Sequence, residues 1–213
     1  MPSPIDRFAP AARDLAERGW TVLSDLLPPG EVAALAGEAL QLFEGGEFQH
    51  AGVGRGAGHA VRSEIRSDDI RWLDEHAATP AQARYWGAIE ALRVTLNREL
   101  FLGLASFEGH YAIYPPGARY HKHIDRFSDA DERVISCTFY LNPGWRAEHG
   151  GALRLYLAGE GDQADEHVDV MPAAGTCVLF RSDTFFHEVL PATQTRLSLT
   201  GWFRRRPVGR ILC

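Results

Sequence analysis

The second half of the chain is a succession of short apolar segments separated by turns rich in proline and glycine. Eight of these segments have the length and the β-branched or aromatic content of strands. They are 108–114, 119–124, 134–141, 152–157, 167–171, 176–180, 186–189 and 196–203. Turn sequences such as Asn142-Pro143-Gly144 and Gly150-Gly151 divide them. Short strands in this number predict an antiparallel double-layered barrel.

The first half shows helical spacing of its apolar residues instead. It predicts helices over 5–18, 31–43 and 80–100, with one strand over 20–23. The two halves together predict an α+β fold: a double-stranded β-helix, or jelly roll, of about eight antiparallel strands, with N-terminal helices that buttress one sheet. At 213 residues we expect a single domain, with helical support over 1–105 and the jelly-roll core over 106–205.

Composition bounds the partners and the compartment. The formal net charge of −6 argues against nucleic acid as a partner. The three cysteines, Cys137, Cys177 and Cys213, form no CxxC pair, so we expect no disulfide framework and a reducing compartment. The sequence has neither a signal pattern at its N-terminus nor an apolar run of about 18 residues. We therefore expect a cytoplasmic protein, monomeric and without a membrane contact.

A glycine-rich stretch over 45–63 interrupts the helical half. Six glycines within it make the backbone permissive, and apolar anchors are few. One interpretation is a long surface loop. The other is a segment that closes over a site, because loops of this length are often functional.

Two potential metal ligands, His123 and Asp125, stand two residues apart in a strand candidate. Residues i and i+2 of a strand project from the same face, so an imidazole and a carboxylate could converge on one cation. His187 follows a later apolar strand and a short turn, which would return it to the mouth of the barrel. Two histidines and one carboxylate are typical of non-haem Fe(II) oxygenases.

Arg196 lies on a strand whose alternate residues Arg196, Ser198, Thr200 and Trp202 make one face polar. An arginine on the inner face of a barrel needs an anionic partner, since an unpaired buried charge is costly. That partner is either an internal carboxylate or a bound carboxylate ligand held in bidentate fashion. Tyr114 and Tyr140, on strands flanking the metal strand, offer hydroxyls to the same ligand or are ordinary core tyrosines.

Two other interpretations stay open on the residues alone. A cupin would use His121, His123 and His187, with Pro172-Ala173-Ala174-Gly175 imitating its second motif. A non-catalytic binding module would hold a metal for structure only and pair Arg196 with an internal carboxylate. We expect three other histidines, His110, His149 and His167, to be ordinary surface residues.

The chain from about residue 31 to residue 203 resembles the 2-oxoglutarate- and Fe(II)-dependent prolyl hydroxylases. The resemblance is strongest to the branch of the hypoxia-factor prolyl hydroxylases and their bacterial homologues. The segments that carry it are Ile65 to Trp72, Tyr114-Pro115-Pro116-Gly117, His123-Ile124-Asp125, Thr138 to Asn142, Trp145, Gly150 to Arg154, His187-Glu188-Val189, Arg196 and Trp202. Arg196 favours this branch, because the collagen branch typically has lysine there.

The resemblance implies a prolyl 4-hydroxylase type of dioxygenase that forms succinate and CO2 as coproducts. Its cofactors would be Fe(II), 2-oxoglutarate as cosubstrate, O2, and ascorbate in support. Its partner would be a protein with a target proline, a translation factor being one candidate. The implied metal ligands are His123, Asp125 and His187; the implied cosubstrate residues are Arg196, Tyr140, Tyr114 and Thr200; and the implied substrate residues are Arg66, Asp68, Arg133 and Trp202.

Overall fold

In the described part of the chain, three α-helices precede the jelly roll. The computed structural model describes residues 6–52, 65–125, 132–157 and 166–207. The helices are α1 (Ala9–Arg18), α2 (Pro29–Glu44) and α3 (Pro80–Leu100), each with a proline in its first turn, where the missing N–H is not needed. Among the described residues, none of these helices has both the length and the apolar character to cross a membrane.

The described residues contain eleven strands, which form two antiparallel sheets. Their bounds are β1 Trp20–Leu23, β2 Gln49–His50, β3 Asp69–Trp72, β4 Leu104–Tyr114, β5 Tyr120–His123, β6 Arg133–Tyr140, β7 Leu153–Tyr156, β8 His167–Val170, β9 Cys177–Arg181, β10 His187–Val189 and β11 Arg196–Arg205. The larger sheet has the order β1-β9-β6-β11-β4-β3-β2, and the smaller sheet has the order β5-β10-β7-β8. The eight predicted strands are all present and divide equally between the sheets, which confirms the jelly roll.

The side chains of β11 alternate between the two faces of the larger sheet. Leu197, Leu199 and Phe203 pack toward the helices. Arg196, Thr200 and Trp202, at the other parity, line a cavity between the sheets. Since successive side chains of a strand point to opposite faces, one strand both anchors the helical layer and furnishes the polar site.

The first half of the chain contributes strands as well as helices. β2 and β3 extend the larger sheet beyond β4, with Ile70 opposite Ala112 and Trp72 opposite His110. Neither strand was expected from the sequence. With the expected strand β1, they bring three strands of the first half of the chain into the larger sheet. The glycine-rich stretch begins at the end of α2 and includes β2. Its remainder, residues 53–63, lies outside the described residues, as does Cys213.

Cys137 and Cys177 are both buried, and they do not form a disulfide. They lie on neighbouring strands of the larger sheet, with their sulfurs 3.7 Å apart. Both side chains pack as small apolar groups in the core that faces the helices.

Gly201 and Gly109 pair across β11 and β4 beneath the ring of Phe107. A Cβ on Gly201 would overlap both the Glu108 carbonyl oxygen and that ring. We expect Gly201→Ala to lower the free energy of unfolding by about 1–3 kcal/mol through overpacking. Chemical denaturation measures the change. The matched control is Gly37→Ala on α2, where a Cβ meets nothing within 4 Å; it should raise stability by about 0.5–1 kcal/mol. Equal effects of the two substitutions would contradict this account.

Candidate active site

His123, Asp125 and His187 come together at one end of the smaller sheet. Their ligand atoms all lie within 4.8 Å of one another. The Nε2 atom of His123 is 3.7 Å from one Asp125 oxygen, and the Nε2 atom of His187 is 3.6 Å from the other. His123 and His187 are paired residues of β5 and β10. Strand β5 ends at His123, so Asp125 joins the cluster from the bend that follows and not from the face of a strand, as the spacing had suggested.

A backbone carbonyl oxygen lies within hydrogen-bond distance of the Nδ1 atom of each imidazole ring. The Nδ1 atom of His123 lies 2.7 Å from the His121 oxygen, and that of His187 lies 3.2 Å from the Phe185 oxygen. When Nδ1 carries the proton and donates to these carbonyls, each Nε2 has a free lone pair. Outer contacts of this kind usually set the tautomer of a metal-bound histidine. Burial and the neighbouring His187 lower the pKa of His123 to about 3, so this ring is neutral at physiological pH.

Asp125 is held by a chain of two buried hydroxyls. Ser136 Oγ donates to Asp125 Oδ2 at 2.6 Å and is itself 2.9 Å from Ser182 Oγ. Burial raises the pKa of Asp125, but His187, His123 and the Ser136 hydroxyl outweigh it and lower the pKa to about 2. The site therefore presents two imidazoles and one carboxylate, and this donor set fits Fe(II).

Arg196 lies buried between two tyrosines. Its guanidinium carbon is 4.9 Å from the ring centroids of both Tyr114 and Tyr140, and Nη2 donates to the Tyr140 hydroxyl at 3.1 Å. Nε and Nη1 have no hydrogen-bond partner among the described residues, and no carboxylate there pairs with this side chain. The internal salt bridge that the sequence left open is therefore absent from the described part of the chain. A buried guanidinium with two unused donors calls for an anionic ligand.

Tyr114 lines the cavity together with Arg196, whereas Tyr140 is fully buried, is not among the lining residues and contacts Arg196 through its hydroxyl. Burial raises the pKa of Tyr114 and of Tyr140, so both phenols keep their protons. Because the Tyr140 oxygen accepts from Arg196, its own proton can be donated to a bound carboxylate. Thr200 lines the same cavity, whose volume is about 890 Å³ and whose wall includes all three metal-site residues. Anion-binding and metal-binding groups thus face one space.

Gly151 leaves room beside the stem of Arg196, a role not found from the sequence. It has φ +73°, and a Cβ there would meet the Ala192 Cβ at 2.8 Å and the Arg196 Cδ at 3.5 Å. We expect Gly151→Ala to weaken 2-oxoglutarate binding about 10-fold, equivalent to about 1.4 kcal/mol, because relief of the overlaps with Ala192 and with the Trp145 ring displaces the backbone beside Arg196. Isothermal titration calorimetry measures the affinity. The control is Gly144→Ala, which has φ +64° but open space around its Cβ; it should strain the backbone without changing the affinity. Equal affinities of the two variants would refute the role of Gly151.

Arg66 and Asp68 form a bidentate ion pair at the edge of the cavity. The two bonds measure 2.6 and 2.8 Å, and the Asp68 side chain is fully buried. Burial lowers the pKa of Arg66, but Asp68 outweighs it and holds the pKa above its usual range. Both residues precede β3, directly after the undescribed residues 53–64. The pair therefore lies shortly after the glycine-rich stretch in the sequence, and Arg66 contributes to the cavity wall.

Arg133 and Trp202 form a second wall of the cavity. The Arg133 guanidinium stacks over the indole ring at 3.5 Å, while Nε donates to Glu108 Oε1 at 3.0 Å. Arg204 also binds Glu108, at 2.8 Å. The structure thus brings the two expected substrate residues into direct contact, and Glu108 and Arg204 hold them in place. Neither Glu108 nor Arg204 was found from the sequence.

His110 is not a surface residue, and that expectation is wrong. It is 1% exposed, lines the cavity, and lies between Trp72 and Trp202 with ring centroids 4.9 and 5.8 Å away. Burial, followed by the charge of Arg66, lowers its pKa to about 4. It is a neutral packing residue of the cavity wall at physiological pH.

The side chain of His121 does not join the metal cluster. It is exposed, whereas its carbonyl oxygen accepts from His123. Of the groups of potential metal ligands in the described ranges, the one found contains Asp125 and lacks His121. This geometry disfavours the cupin alternative, which needs His121 as a ligand.

Comparison with known proteins gives one family. Residues 109–204 match the model of the 2OG-Fe(II) oxygenase superfamily. The chain is 31% identical over 206 residues to the hypoxia-inducible factor prolyl hydroxylase of Caenorhabditis elegans. That match covers 90% of this chain but only 27% of the length of the worm protein.

Two solved structures are also close. A crystal structure of a Pseudomonas putida prolyl-4-hydroxylase is 44% identical, with a TM-score of 0.83, over 93% of this chain and 99% of that one. A prolyl hydroxylase in complex with a hypoxia inducible factor peptide fragment, from Trichoplax adhaerens, is 25% identical, with a TM-score of 0.82. The match covers 94% of this chain and 90% of that one.

Proposed function

We propose, because this chain belongs to the prolyl hydroxylases of the 2-oxoglutarate- and Fe(II)-dependent oxygenase superfamily, that it hydroxylates a prolyl residue of a protein substrate. The observation that carries the proposal is the buried Arg196, with two unused nitrogens, in the same cavity as the His123, Asp125 and His187 cluster. One cavity thus offers a metal site and a carboxylate site, as a 2-oxoacid cosubstrate requires.

Residues in and beside the smaller sheet would bind the metal, and residues of the larger sheet would bind the carboxylate of the cosubstrate. His123, Asp125 and His187 would hold iron, which with 2-oxoglutarate and O2 supplies the oxidising chemistry that gives the hydroxylated product, succinate and CO2. Arg196 would bind the distal carboxylate through its free nitrogens, and the Tyr140 hydroxyl would donate to it. The rings of Tyr114 and Tyr140 keep water from the guanidinium, which strengthens the ion pair.

The outer part of the cavity supports a polypeptide substrate. Trp72 is 44% exposed at its rim, beside Trp202, which is stacked under Arg133. A flat, partly open aromatic wall suits the pyrrolidine ring of proline, and neighbouring charges suit the peptide groups on either side. The complex of the Trichoplax relative with a peptide fragment supports the same class of substrate.

The wider expectations remain proposals. A cytoplasmic location, a monomer and support by ascorbate follow from the composition and the resemblance, and a translation factor is the first protein we would test as substrate. Mass spectrometry of candidate proteins with and without the enzyme identifies the substrate. Light scattering of the purified protein reports its oligomeric state.

The test of the proposed function is a coupled assay. Purified protein with Fe(II), 2-oxoglutarate and proline-containing peptides should form succinate and add one oxygen atom to a proline. The control peptide has alanine in place of that proline and should gain no oxygen. Succinate without modification of any peptide would keep the oxygenase and reject the peptide substrate. Absence of 2-oxoglutarate binding would reject the proposal altogether.

A further inference from the structure

We propose that Tyr120 is a positioning residue for the metal site, which clamps the ring of His123 and connects it to the Arg66–Asp68 pair. The Tyr120 and His123 rings are stacked, with centroids 3.6 Å apart and an interplanar angle of 17°. Arg66 packs against the Tyr120 ring, with its guanidinium carbon 4.8 Å from the ring centroid. The inference rests on the proposed function, since it takes His123 as a metal ligand.

A β-bulge brings the two rings to one face. Residues three apart on a regular strand point to opposite faces. In β5, however, His123 pairs with His187 while Tyr120 pairs with Val189, so three steps on β5 match two steps on β10. His121 and Lys122 are accordingly both exposed between the two inward rings. Bulges commonly occur where a sheet re-aims a side chain beside an active site.

The Arg66 segment is attached to this bulged strand by backbone pairing. Arg66 forms an antiparallel bridge with Tyr120, the Ser67 N–H donates to the Arg119 oxygen, and the His121 N–H donates to the Ile65 oxygen. The same segment continues into β3 of the larger sheet. The segment 65–67, shortly before β3, thus pairs with β5 and the residue before it, and the Arg66 guanidinium packs against the Tyr120 ring.

The stack supplies what the hydrogen bonds of His123 lack. The contact of Nδ1 with the His121 oxygen fixes one atom of the ring but leaves the ring free to tilt about that contact. A phenol ring lying flat against the imidazole prevents the tilt and keeps Nε2 directed at Asp125. Asp68 neutralises Arg66, so the clamp adds little net charge near the metal. Support of a metal-bound histidine from outside the ligand set typically changes metal affinity 10- to 100-fold.

The experiment measures Mn(II) binding to the ligand-free protein by electron paramagnetic resonance. Tyr120→Leu, which removes the stack, should weaken Mn(II) binding about 10-fold. Tyr120→Phe, which keeps the ring and removes only the hydroxyl, should restore affinity to within about 2-fold of the wild type. At saturating Co(II), the visible d–d bands of Tyr120→Leu should differ from those of the wild type, a change that a role in folding alone would not produce. The control is Tyr156→Leu on the outer face of the smaller sheet, where the ring lies 3.8 Å from Lys122 Nζ.

A neutral double variant, Arg66→Gln with Asp68→Asn, tests the connection and decides the matter if Tyr120→Leu does not fold. It removes the charge pair behind Tyr120 without changing the net charge, and it should weaken Mn(II) binding about 3-fold or more. Unchanged Mn(II) affinity in the folded variants would overturn the inference, as would equal losses in Tyr120→Leu and Tyr120→Phe. A wild type that binds no Mn(II) would instead reject the metal site on which the proposed function depends.

Discussion

Arg196→Met is expected to weaken 2-oxoglutarate binding strongly and, at the same time, to make the ligand-free protein more stable. The guanidinium is 1% exposed and has two nitrogens without a partner among the described residues. Removing one side of a buried ion pair costs about 2–5 kcal/mol, so the affinity for 2-oxoglutarate should fall between about 30-fold and several thousand-fold. Without ligand the buried, unpaired charge destabilises the folded state. An apolar side chain of similar volume should therefore raise the free energy of unfolding by about 1–4 kcal/mol.

Calorimetric titration of the Mn(II)-loaded protein and chemical denaturation of the ligand-free protein measure the two effects. Arg196→Lys should fall between the wild type and methionine in affinity, because an ammonium group cannot form the two parallel bonds of a guanidinium. Arg154→Met is the matched control, since Arg154 is already paired in bidentate fashion with Asp169 on the other sheet. Normal 2-oxoglutarate binding by Arg196→Met would show that the carboxylate site lies elsewhere.

Asp125→Ala is expected to lower Mn(II) affinity by at least about 100-fold and to stop succinate formation. The carboxylate has a lowered pKa of about 2 and is the anionic member of the cluster, so its loss removes both a ligand and the charge that balances the cation. Ser136→Ala should have a smaller effect, about 10-fold, because it frees the carboxylate to rotate without removing it.

His121→Ala is the companion measurement for Asp125→Ala. It should leave Mn(II) affinity and succinate formation unchanged, because the exposed side chain of His121 is outside the cluster. A cupin would show the opposite pattern, with metal binding kept in Asp125→Ala and lost in His121→Ala. The pair of variants therefore separates the two chemistries by equilibrium binding alone.

The periodic parts of the fold were predictable from the sequence, and the strands that depend on pairing were not. The three helices and the eight later strands lie within a few residues of their predicted bounds, except that β4 begins at Leu104, because each has its own repeat of apolar residues. β2 and β3 are short and largely polar, so their strand character comes from the ladder with β4. Only the folded sheet supplies that partner.

The candidate site divides in the same way. The spacing of His123 and Asp125, and the polar face that contains Arg196, could be seen in the sequence because each depends on strand alternation. The supporting residues could not. Ser182, which follows β9, is far from Asp125 in the sequence and contacts it only through Ser136. Tyr120 shares a face with His123 because of a bulge in β5, and a bulge breaks the strand alternation that a sequence pattern assumes. His110 was misjudged for a related reason: the two tryptophans that cover it come from β3 and β11.

The distribution of the ligand groups between the sheets has a mechanical consequence. The metal ligands belong to β5, β10 and the bend after β5, in and beside the smaller sheet, whereas Arg196 belongs to β11 in the larger sheet. A cosubstrate bound to the metal at one end and to Arg196 at the other would therefore link the two sheets, in addition to the backbone pairing of the Arg66 segment with β5. Without the cosubstrate this link would be lost. We then expect larger relative motion of the two sheets at the end that carries the site, while the hydrogen bonds within each sheet persist.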